Sequence, residues 1–267
     1  MSKLFKFFLI LFLLFNLLGC SKQEVEKKDS LTINQSLLTV NSTNENIMER
    51  LEQFYFNTNR TEGKKKEMDD QVSQQQPQQR DEKPKQDKQK EKIELKKQEE
   101  KWKGLINKVE QLFKNWNRYE SEKSLPPKQV KQIEKKMNQL TFNIEKQQLL
   151  TALFQANELN LDFAMLYRQY YNKELKAVIE EMRVYIRNMI YLSQIKGDNQ
   201  TRQMENLHKL KMRINKLKDI NLKKENKTKV KELEHYIKDM EEIINNRNNS
   251  VIKIKGNLIL NKLNQLR

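Results

Sequence analysis

Apolar residues recur along the C-terminal two-thirds of the chain at alternating steps of three and four. Trp102, Leu105, Val109, Leu112, Trp116 and Tyr119 form one series, and Val130, Ile133, Met137, Leu140 and Ile144 a second. Leu207, Leu210, Ile214 and Leu217 form a third, and Val230, Leu233, Ile237, Met240 and Ile244 a fourth. Such steps return side chains to one face of a 3.6-residue helix, so each series predicts an amphipathic helix. Four apolar stripes must bury one another, and near-parallel packing in a bundle achieves that. The stretch 149–195 differs, because Leu153, Phe154, Leu159, Phe163, Met182, Ile186 and Met189 with their neighbours cover most of the circumference. A helix apolar nearly all round belongs at a centre. The expected fold is all-α, an antiparallel bundle around one central apolar helix.

Breakers divide the stripes. Ser124-Leu125-Pro126-Pro127 stops one helix and starts another, since proline is tolerated in a first turn but not mid-helix. Gly197-Asp198 marks a helix end, and Lys223-Lys224-Glu225-Asn226 the next turn. Val251, Ile254 and Leu258 continue the phase of the fourth stripe, which predicts one long helix, bent at the asparagine run 245–249. The bundle domain is expected over 90–267.

The chain ahead of it is different. Ile47, Leu51 and Phe54 make one short amphipathic face near 46–56, suited to docking on the bundle or to a linear motif, with docking the simpler reading. Residues 57–100 are almost devoid of apolar side chains and include Lys64-Lys65-Lys66 and a glutamine run. Such a segment cannot bury enough surface to offset the entropy of ordering, so disorder is expected. Residues 20–89 then read as a tether. About 70 residues of coil reach roughly 45–50 Å.

The first twenty residues define where the tether starts. Lys3 and Lys6 precede an apolar run from Phe7 to Phe15, about half of what a transmembrane helix needs. The run ends in Leu17-Leu18-Gly19-Cys20, which resembles the lipobox of bacterial lipoproteins. The resemblance implies that residues 1–19 are a signal peptide, that Cys20 is acylated on its thiol, and that it becomes the first mature residue. Several acyl chains on one residue give stable anchoring, where one would be marginal.

Composition narrows the chemistry. Lys and Arg number 52 against 36 Asp and Glu, a net +16. Five glycines and four prolines are too few for the tight turns of a barrel or sandwich. The single cysteine allows neither a disulfide framework nor a thiolate zinc site. His208 and His235 have no partner at metal-ligand spacing and read as polar helix residues. Glu158 and Asp162 share a face, as an acid–base pair would, but a solvated helix start explains them more simply. No glycine-rich phosphate loop is present. No enzyme activity and no cofactor are expected. Tyr167, Tyr170, Tyr171, Tyr185 and Tyr191 could form an aromatic surface, or more simply line the core.

The densest charge lies at one helix turn. Lys209, Lys211, Arg213, Lys216, Lys218, Lys223, Lys224, Lys227, Lys229 and Lys231 are countered within 208–231 only by Asp219 and Glu225. A patch of this kind attracts polyanions through counterion release, and the alternative is a solvated face in a lysine-rich protein.

The lipobox, the polar tether and the Lys/Asn/Ile-rich helical domain together resemble the plasmid-encoded helical outer-surface lipoproteins of Borrelia. The resemblance implies a non-enzymatic protein lipid-anchored in the bacterial outer membrane through Cys20, at the cell surface. It implies a host or vector protein, such as a complement component, or a matrix glycosaminoglycan as partner, with roles in adhesion or immune evasion. Nucleic acid is not expected. A monomer or a dimer fits the stripes, and the alternative role is an envelope scaffold pairing with another helical protein.

Overall fold

The structure, a computed structural model, describes residues 34–72, 84–170 and 174–266, with side chains described over 34–56 and from 92 onward. The described residues form helices without strands. In chain order they are α1 (Gln35–Val72), α2 (Pro84–Glu122), α3 (Pro127–Glu145), α4 (Leu149–Tyr167), α5 (Glu174–Leu192), α6 (Gln200–Asp219), α7 (Lys224–Asn245) and α8 (Asn249–Asn264).

The helices pack as two successive four-helix bundles. In the first, α1 lies against α2, α2 against α3, α3 against α4, and α4 closes on α1. In the second, α5 lies against α6, α6 against α7, α7 against α8, and α8 closes on α5. The two are joined along α4 and α5.

A register of 100 residues relates them. Ile133, Met137, Leu140 and Ile144 of α3 are buried, as are Leu233, Ile237, Met240 and Ile244 of α7. Ala152, Leu159, Phe163 and Leu166 of α4 are buried, and so are Ile252, Ile259, Leu263 and Leu266. Polar contacts repeat too: Gln132 donates to Asp162 at 2.7 Å between α3 and α4, and Lys262 pairs with Glu232 between α8 and α7. In α2 and α6 the register is 98, matching Leu112, Trp116 and Tyr119 to Leu210, Ile214 and Leu217. The position 156/256 is a small residue in both: Ala156 is fully buried, and a Cβ on Gly256 would lie 2.7 Å from Ile190 Cγ1.

The turns after α3 and α7 are copies as well. Gln147 and Arg247 hold the left-handed conformation, φ 55° and 53°. The next N–H, of Gln148 or Asn248, returns to the carbonyl of Asn143 or Ile243, a six-residue helix-ending loop that normally uses glycine. This corrects the expected long helix over 230–258. The chain reverses at Arg247, and Asp239–Lys255 at 2.8 Å ties α7 to α8 at positions eight residues either side of it. The stripe phase of Val251, Ile254 and Leu258 is coincidental, since Ile252, Ile259 and Leu263 are the buried set and Ile254 and Leu258 are exposed.

Three further expectations bear on these helices, of which the first and third change. The apolar segment 149–195 is a pair of helices, α4 and α5, broken after Tyr167, rather than one central helix. The face near 46–56 belongs to α1, which begins at Gln35 and docks through Leu37, Val40, Ile47, Leu51 and Phe54, all buried. The backbone is also helical over 57–72 and 84–100, where polarity suggested coil. Phe54 meets Trp102 at 4.9 Å between ring centroids, and beyond this pair both helices continue for about 18 residues, roughly 27 Å at 1.5 Å per residue.

One end of the molecule gathers several chain turns. Asn34 and Ser36 donate to Glu122, Tyr119 and Tyr170 share a hydroxyl contact of 3.2 Å, Glu174 pairs with Lys216, and Lys229 donates to the carbonyl of Gln265. The start of α1, the link between the bundles and the end of α8 therefore lie on the same side.

Candidate binding surfaces

Residues 1–33, with Leu17, Leu18, Gly19 and Cys20, lie outside the described residues. Among the described residues, no helix is long and apolar enough to cross a membrane.

The ten basic residues of 209–231 divide into three sets. Five are held by carboxylates: Lys211 by Glu241, Arg213 by Glu181, Lys216 by Glu174, Lys218 by Glu234 and Lys229 by Glu225. Lys209 lies over the Tyr185 ring, its Nζ 5.8 Å from the centroid. Lys223, Lys224, Lys227 and Lys231 remain exposed and outside any ion pair among the described residues. Residues 224, 227 and 231 share one face of the first two turns of α7, with Lys223 at its N-cap. The positive end of the helix macrodipole adds to their field, so the patch contracts to these four lysines.

The polar chemistry of the interior lies at the junction of the bundles. Glu181 is buried on α5 and receives both Arg213 of α6 and Arg168, 2.5 Å away at the end of α4. Arg187 of α5 grips Glu45 of α1 with two hydrogen bonds of 2.9 and 2.7 Å, and Asn160 donates to the same carboxylate at 2.7 Å. Burial alone would lower the proton affinity of Arg187, but the Glu45 carboxylate overrides it and raises it. Asn157 donates to the Val184 carbonyl and to Asn188 across the α4–α5 seam, and Tyr191 donates to Glu52 at 2.6 Å. Burial raises the Glu180 carboxyl above its ordinary range, against the pull of Arg183. These groups answer each other across helices, and that arrangement fixes the packing of α1, α4 and α5.

The remaining sequence candidates take structural places. Tyr167, Tyr170, Tyr185 and Tyr191 are buried in the core, and Tyr171 lies outside the described residues. His208 and His235 are exposed. Asp162 is buried and holds Lys136 at 2.6 Å, while Glu158 accepts from Asn188, so the two carboxylates serve different contacts. Among the described residues, no group of three or more His, Cys, Asp or Glu could hold a metal ion. The junction residues were visible in the sequence only as charges inside an apolar segment. Comparison with protein-family models, with curated proteins and with solved structures finds no match.

Proposed function

We propose that the chain is a lipid-anchored, non-enzymatic binding protein of a bacterial outer surface, contacting host or vector molecules. The observation that carries this reading is the lone cysteine at the end of Leu17-Leu18-Gly19-Cys20, behind a basic and apolar leader. The interior polar groups support it, because the ion pairs of the buried Glu181 and the half-buried Glu45 serve helix packing. A stable helical scaffold leaves its recognition chemistry to side chains on its surface.

Replacing Cys20 with alanine should abolish incorporation of labelled palmitate and release the chain from the membrane fraction. Protease treatment of intact cells should cut the anchored wild type within Lys64–Lys101. A chain that stays membrane-bound and unlabelled after the substitution, or one untouched by protease, overturns the anchor or the exposure respectively. The second outcome would favour the envelope-scaffold role.

Polyanions are one ligand class for this surface. Lys223, Lys224, Lys227 and Lys231 supply a compact positive face outside any ion pair among the described residues. Reversing these four to glutamate should move heparin elution from several hundred millimolar salt to about 0.1 M, with an unchanged helical circular dichroism spectrum. Unchanged elution excludes polyanion binding there.

A further inference from the structure

The second bundle serves as an internal reference for the first, and their α3–α4 and α7–α8 grooves differ in a consistent way. In the second bundle the groove is bridged by Lys255 and Asp239. The matching residues of the first, Gln155 and Gln139, make no hydrogen bond with each other or with any other described group. The groove they leave has a volume of about 760 Å³ and is lined along α3 and α4.

Its wall reverses the usual placement of polar and apolar groups. At positions 242 and 243 the second bundle has an exposed glutamate followed by an isoleucine packed on the core. At 142 and 143 the first has a phenylalanine that is 53% exposed, followed by an asparagine only 8% exposed. The Asn143 side chain lines the groove and makes no hydrogen bond among the described residues, so its amide is left to whatever fills the groove. An exposed aromatic ring gains little from burial, and Phe142 has only the Lys146 ammonium over its face. An aromatic on the open side beside an asparagine on the core side, the reverse of the order in the second bundle, marks a position kept for binding.

We propose that the α3–α4 groove is a binding site for a short acidic oligosaccharide. Sugar hydroxyls both donate and accept, as do the amides of Gln139, Asn143 and Gln155. The C–H face of a pyranose ring is complementary to the electron-rich face of an aromatic ring, which Phe142 presents at the groove edge with Lys146 Nζ 5.7 Å from its centroid. Lys131 and Lys135 line the far end with Glu134 between them, leaving a net positive charge there; both lysines lie outside any ion pair among the described residues and suit a sugar carboxylate. The volume falls in the range of small-molecule sites. This inference is independent of Cys20 and of the lysines on α7.

The test uses the full chain in detergent, titrated by calorimetry with a hyaluronan tetrasaccharide and with the uncharged chitotetraose. The expected result is a Kd below about 1 mM for the hyaluronan fragment and weaker binding of chitotetraose. Phe142→Ala should weaken binding by about tenfold or more. Gln139→Asp with Gln155→Lys, which installs the bridge of the second bundle, should close the groove and abolish binding without loss of thermal stability. The fourfold lysine reversal on α7 should leave affinity unchanged. No heat from either sugar at about 5 mM overturns the proposal, as does binding that both groove variants retain.

Discussion

Arg187→Met should lower the unfolding free energy by about 3 kcal/mol, the low end of what breaking a buried ion pair costs. The guanidinium is one of two points, with Tyr191 on Glu52, at which α5 of the second bundle holds α1 of the first. Methionine keeps the aliphatic stem and removes both hydrogen bonds to Glu45, leaving a carboxylate beside Asn160 and near Tyr191 and Glu52. Glu45 keeps about a quarter of its side-chain surface in water, which moderates the loss. Denaturant titration measures it, and the double variant with Glu45→Gln should recover part of it, because the stranded charge is then gone. A loss under 1 kcal/mol would mean that the pair does not hold the junction.

The second large effect is expected from Trp116→Ala, at about 3–5 kcal/mol. Trp116 is fully buried in the first bundle, with ring centroids 5.8 Å from Tyr119 and 6.4 Å from Phe163. Its partners in the register, Ile214, Leu217 and Leu263, are all aliphatic, so the two cores solve the same packing with different volumes. Alanine leaves a cavity that the two remaining stiff rings, Tyr119 and Phe163, cannot close. Calorimetry should show one transition shifted downward, because the α4–α5 seam couples the bundles through Asn157 and Asn188. A second, unshifted transition would show that the second bundle stands without the first.

The helices of the bundles were legible because their stripes obey one period, and their breaks at Pro126 and Gly197 use residues with a conformational reason to stop. The reversal at Arg247 was not, because neither glycine nor proline occupies it; the left-handed residue is an arginine whose strain is met by backbone hydrogen bonds. The same is true of Gln147. Between Tyr167 and Glu174 neither glycine nor proline marks a stop, and Tyr170 and Tyr171 carry aromatic character across the break, so α4 and α5 read as one segment. The polarity of 57–100 speaks to burial, whereas lysine, glutamate and glutamine are good helix formers, and that is the property the backbone there follows. The 100-residue register is present in the sequence as matched positions, but within the α3 and α7 stripes only Val130/Val230 and Ile144/Ile244 are identical. As for the basic patch, its partners Glu174, Glu181, Glu234 and Glu241 come from other helices or lie well along α7. A local charge count sees none of them.

An up-and-down bundle of four helices returns the chain to the end from which it set out, and two in succession do so twice. Thirteen residues, 21–33, separate Cys20 from Asn34, and that length of chain spans at most about 45 Å. Asn34, where the described chain begins, lies at the end carrying Glu122, Lys216 and Gln265, and the four lysines at the start of α7 share that end with Lys229. The α1–α2 extension beyond Phe54 and Trp102 leaves from the opposite end of the first bundle, as far as the fold allows from the point where the chain ahead of Asn34 joins it.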